Sequence, residues 1–130
     1  MITLKTLATA KPQEVFDQVA NHMMTQKARS KARSSVEEGN VFFCAYRSNG
    51  LKCAAGCLIA DDEYRPYFEK SSWIKLVEQG VVSDNCSKLI RELQTIHDNI
   101  VNVDEWYGML KCTAEVHHLN THELDKFNNV

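Results

Sequence analysis

The sequence predicts an α+β domain in which one β-hairpin packs against four or five helices. Three observations carry that expectation. Apolar residues recur at helical spacing behind Pro12, Asn49-Gly50 lies between two strand-like runs, and residues 72–119 return to a helical period. The length of 130 residues fits a single domain, 1–130. Leu, Ile, Val and Phe supply 32 residues, well above the ~20% below which disorder is expected.

Pro12 suits a first helical turn, where its missing N–H costs nothing. Val15, Phe16, Val19, Ala20 and Met23 then form one stripe, giving a helix from Pro12 to Gln26. The following stretch, 27–40, is poor in apolar residues and carries Lys27, Arg29, Lys31 and Arg33, so it reads as a flexible basic and polar loop.

The period then changes. Val41–Arg47 and Leu51–Ile59 flank the Asn49-Gly50 pair, whose residues tolerate positive φ. With these two as the turn, Ser48 pairs with Leu51, Tyr46 faces Cys53, Cys44 faces Ala55 and Phe42 faces Cys57. Because side chains alternate along a strand, all six of the latter share one face. An isolated hairpin is marginal in water, so it needs a helical cover or a third strand from Ile2–Leu4, which would make a small antiparallel sheet.

Asp61, Asp62 and Glu63 read as the cap of a short helical turn. Ser72 caps a helix that runs to Gln79 and stops at Gly80. Ser83 opens the longest helix, with Leu89, Ile90, Leu93, Ile96, His97 and Ile100 on its stripe. Asn102 opens another, with Trp106, Met109, Leu110, Thr113 and Val116 facing inward. Trp106 and Leu93 are expected to share a core with the hairpin's cysteine face. The segment 120–130 is read as a loosely ordered tail.

Net charge is −2, split between +4 over residues 1–60 and −6 over residues 61–130. This is not the basic balance of a nucleic-acid binder, and no aromatic residue interleaves the basic run, so nucleic acid is disfavoured as a partner. No stretch reaches the ~18 apolar residues of a membrane span, and the first ten residues lack a signal-peptide pattern. The expected location is therefore the cytoplasm, with the five cysteines as thiols.

The hairpin face of Cys44, Cys53 and Cys57 is a candidate metal or redox site. However, Cys-x8-Cys-x3-Cys lacks a paired knuckle spacing, so three small buried hydrophobes are the simpler reading. His97-Asp98 resembles the metal-binding pair of HD-type phosphohydrolases. That fold is all-helical and needs further ligands on both sides of the pair, so a hydrogen-bonded structural histidine is favoured. Glu115-x-x-His118 has metal-pair spacing but occurs once, where di-metal bundles need two copies. Phosphate loops, nucleophile elbows and Cys-x-x-Cys pairs are absent from the sequence. Asp62, Tyr67 and Glu69, in a segment rich in tyrosine and carboxylate, are the candidate binding residues, since tyrosine suits interfaces.

The block from Cys44 to Tyr64, CAYRSNGLKCAAGCLIADDEY, resembles the central part of a group of small phage and bacterial proteins. Gln13–Val19, Leu93–Asp98 and Trp106 with Leu110 and Ala114 are similar as well. The resemblance implies a phage or prophage origin, one compact domain and, for a phage-encoded chain, the host cytoplasm. It transfers no catalytic residue. The expected function is non-catalytic, an accessory phage factor that binds a host protein or a small ligand without a cofactor. The alternative is a small metal- or thiol-dependent protein using Cys44, Cys53 and Cys57.

Overall fold

A computed structural model describes residues 1–33 and 42–128. Helix α1 (Pro12–Gln26) lies at the centre. It packs against α3 (Ser87–Asn99), α4 (Trp106–Val116), α5 (His122–Asp125) and a 3-10 turn at Ala55–Leu58. The short α2 (Trp73–Glu78) leans on α3, and further 3-10 turns cover Leu7–Thr9, Pro66–Lys70 and Val103–Glu105.

The expectation of an α+β fold is corrected: the protein is helical. Among the described residues, extended pairing is confined to two three-residue strands and one isolated bridge. The strands are β1 (Lys31–Arg33) and β2 (Phe42–Cys44), antiparallel with Lys31 opposite Cys44. They form no layer on which helices could pack.

The predicted turn forms, but the cysteine-rich hairpin does not. Asn49 and Gly50 adopt φ of 52° and 81°, and Ser48 and Leu51 exchange hydrogen bonds of 3.0 and 2.8 Å. Beyond that bridge the would-be ladder is taken apart by side chains. Glu69 accepts from Tyr46 N–H and Arg47 N–H at 2.9 and 3.1 Å. The Arg47 guanidinium donates to the carbonyls of Tyr46, Gly56 and Ile59. Gln26 holds both the N–H and the carbonyl of Lys52, and Gln94 accepts from Ala55 N–H at 2.8 Å. With these backbone groups satisfied, Ala55–Leu58 winds into a 3-10 turn and Ala45 N–H pairs with Ser30 O instead. The expected third strand at Ile2–Leu4 is absent for the same reason. Gln18 brackets the N–H and carbonyl of Ile2, and Glu63 accepts from Leu4 N–H.

The helix at Pro12–Gln26 has the expected bounds, and Glu14 reaches back to Lys11 N–H at 2.9 Å to close its first turn. Ser72 accepts from Lys75 N–H to cap α2, and Gly80 (φ 74°) follows its end. Helix α3 begins four residues later than Ser83, because Asn85 is drawn onto the carbonyls of Leu7 and Ala10 at 2.7 and 2.8 Å. In α4 the buried stripe is Trp106, Leu110 and Ala114. Met109 and Val116, expected to face inward, are 40% and 71% exposed.

Trp106, Leu93 and Cys53 belong to one continuous core with Phe16, Leu58 and Leu110. The C-terminal segment is anchored there too. Leu124 is buried, Asp125 accepts from Tyr107 Oη at 2.6 Å, and Gln13 brackets the N–H and carbonyl of Asn120. No described helix is long and apolar enough to cross a membrane.

Candidate functional site

Cys53 and Cys57 do not lie on the strand face expected for them. Cys53 lies buried just before the 3-10 turn, Cys57 is half-buried within it, and the Cys44 side chain lies outside the described residues. Burial pushes the Cys53 thiol well up, despite a hydrogen bond from Gly56 N–H. It pushes Cys57 up to about 12, against the opposing pull of Lys52 and Arg47. Both are therefore protonated near neutrality, when a metal ligand or nucleophile must be a thiolate. Among the described residues no group of three or more His, Cys, Asp or Glu side chains converges on a cation-sized point.

His97 and Asp98 form a structural network. Ser30 N–H donates to His97 Nε2 at 2.9 Å, so the imidazole proton resides on Nδ1, 2.9 Å from Asp98 Oδ1. Arg29 donates from Nε to His97 O at 3.1 Å and from Nη2 to Asp98 O. Trp106 lies against the ring, with centroids 5.7 Å apart. A serine, a histidine and an aspartate adjoin here, but a backbone N–H occupies the nitrogen a general base would use, and the Ser30 hydroxyl points to Leu51 O. Arg29, a member of the basic run, is thus committed to the end of α3.

Asp62, Tyr67 and Glu69 have separate fates. Asp62 is exposed, and its main-chain carbonyl accepts from Arg65. Tyr67 is 59% exposed, with its ring edge-on to buried Phe68 at 4.9 Å. Glu69 turns inward and takes the two backbone N–H groups already described, together with the Tyr64 hydroxyl. Burial, reinforced by that bond to Glu69, pushes Tyr64 up to about 12. The carboxylate and the exposed tyrosine do not face a common ligand.

A large concavity lies elsewhere among the described residues, along the polar side of α1. It is an open groove of about 1220 Å³. One wall is the stripe Glu14, Asp17, Gln18, Asn21, His22 and Thr25, whose spacing of three and four keeps these residues on one helix face. The floor and far wall include Ile2, Leu51 and Cys57. Gln18 ties the two sides together, donating to Ile2 O at 3.0 Å and Cys57 O at 3.1 Å.

His22 lies toward the C-terminal end of that wall. Its Nε2 lies 2.9 Å from Lys52 O, and a carbonyl can only accept, so Nε2 carries the proton. Burial lowers its pKa. The bond to Lys52 O opposes this, while the positive fields of Lys52, His97 and Arg47 add to it. His22 is therefore neutral near pH 7, and its Nδ1 is a lone-pair acceptor without a partner among the described residues.

Sequence reasoning missed this groove. The stripe that forms its wall is the polar complement of the α1 core stripe, and Glu14, Asp17, Gln18 and Asn21 were legible as such. The opposite wall depends on Leu51–Cys57 folding back over α1, which the hairpin expectation precluded. No protein-family model, curated protein or solved structure matches the chain.

Proposed function

We propose that the protein acts by binding rather than by catalysis, as an accessory factor of phage type whose partner is a host protein. The partner lies in the α1 groove. The groove itself carries this reading: its volume exceeds the ~300–1,000 Å³ of ordinary small-ligand pockets, it is open to solvent, and hydrogen-bonding side chains line it beside apolar ones. Catalysis finds no support in the same residues. Gln18 and Gln26 are tied to backbone groups, Cys57 is protonated, and no nucleophile lies in hydrogen-bond contact with His22. The phage origin rests on the sequence resemblance of the Cys44–Tyr64 block.

The test is a groove-blocking substitution with a matched control. Thr25→Trp fills the groove from an exposed helical position, and Thr95→Trp places the same ring on the exposed face of α3. Capture of a partner from host lysate is expected to be lost in the first variant and kept in the second, at equal melting temperatures. Equal capture by both variants would remove the groove from the account, and substrate turnover by the purified protein would contradict the non-catalytic reading.

A further inference from the structure

Resting on that binding reading, we infer that the groove takes an extended peptide segment whose lysine or arginine side chains are received by Glu14 and Asp17. Four charged side chains line the groove, and two of them are already paired. Lys52 lies 3.4 Å from Asp61, which also takes Arg47 at 3.2 Å. Glu123 is held by Lys126 at 2.9 Å. Glu14 and Asp17 remain, with no cation beside them among the described residues. One oxygen of each is used within α1: Glu14 Oε1 accepts from Lys11 N–H and Asp17 Oδ1 accepts from Gln13 Nε2 at 2.9 Å. The second oxygen of each is left for a ligand. His22 Nδ1 adds a third acceptor on the same wall.

The α1 wall carries two carboxylates and no cation, the groove's cations being Lys52, paired with Asp61, and the Met1 α-ammonium outside that wall. Such a wall complements a donor-rich, positively charged ligand. Length decides between a peptide and a small cation. From Glu14 to Thr25 the helix rises about 16 Å at 1.5 Å per residue, and five residues of extended chain cover about the same distance. Alternating side chains of such a segment would meet the carboxylate wall on one side and the Ile2 and Leu51 surface on the other. A polyamine would satisfy the charges but leave that apolar floor without a partner.

The test is fluorescence anisotropy with a labelled lysine-alanine-lysine-alanine-lysine peptide, its glutamate-alanine counterpart, and spermidine as competitor. Glu14→Gln keeps the bond to Lys11 N–H and Asp17→Asn keeps an acceptor for Gln13, so the double variant removes charge with little change in the helix. The lysine peptide is expected to bind and the glutamate peptide not. The double variant should weaken binding roughly three- to tenfold, the scale of two exposed ion pairs, while Glu78→Gln on α2 leaves it unchanged. Equal binding of the two peptides, or full affinity in the double variant, would overturn the assignment. So would spermidine binding as tightly as the peptide, since the site would then read charge alone. If the lysine peptide fails while Thr25→Trp still abolishes partner capture, the occupant's chemistry is wrong and the groove reading stands. If Thr25→Trp has no effect, both fall.

Discussion

Gly56 shows how one residue decides a local fold. A Cβ added there would lie 2.6 Å from Tyr46 O and 3.3 Å from Cys53 Sγ. The carbonyl is backbone and is itself held by Arg47, so it has little freedom to yield. Gly56→Ala is expected to cost about 1–3 kcal/mol, the range for overpacking a close-fitted interior, measured by urea denaturation. Glu69 is the second such residue. Its carboxylate satisfies two backbone donors and the Tyr64 hydroxyl, so Glu69→Ala should lose at least ~1–3 kcal/mol for the orphaned groups. Substituting Tyr67 or Asp62, both exposed, should stay within about ±0.5 kcal/mol. His22 makes stability depend on pH. Its pKa in the fold is below the ordinary 6.5, so on acidification the unfolded chain takes up a proton that the folded chain refuses. The unfolded state then binds more protons, and stability falls as the pH falls. The contribution is complete above about pH 6.5 and is lost progressively below it. His22→Gln should flatten that part of the stability–pH curve, and an unchanged slope would assign it to another group.

At the scale of elements, α1, α2 and α4 were legible because their signals are local. Pro12 with Glu14, Ser72 with Gly80, and Asn102 ahead of Trp106 all mark helix ends in the chain itself. The fate of 42–59 was not legible, although its turn was. Asn49-Gly50 forms the predicted bend, yet Glu69, Arg47, Gln26 and Gln94 claim the backbone groups that a ladder would need. Those four are distant in sequence from their partners or ambiguous in role, and no periodicity reports them. The candidate site failed for the same reason. Tyr67 is exposed, while the inward turn of Glu69 depends on Tyr46 and Arg47. The segment 120–130 reads as a loosely ordered tail, and within it one apolar residue of α5 reaches the core. Leu124 is fully buried against the core, so Leu124→Ala should cost about 2–5 kcal/mol. A loss below about 0.5 kcal/mol would show that α5 is not integral to the fold.

At the scale of the molecule, α1 does two tasks with opposite faces. Val15, Phe16, Val19, Ala20 and Met23 hold the core, while Glu14, Asp17, Asn21 and Thr25 line the groove. Trp106 braces the far side of that core, fully buried with its indole N–H donating to Ile100 O at 3.0 Å. Trp106→Ala should cost about 3–5 kcal/mol, a large share of the ~5–15 kcal/mol that holds an ordinary domain folded. Binding at the groove is separable from this core, and a photo-reactive side chain tests it most directly. Placed at Thr25 and irradiated in host cells, it is expected to give one cross-linked partner band, and placed at Thr95 to give none. Matching band patterns from the two positions, or no product from Thr25, would contradict the assignment of the groove as the binding surface.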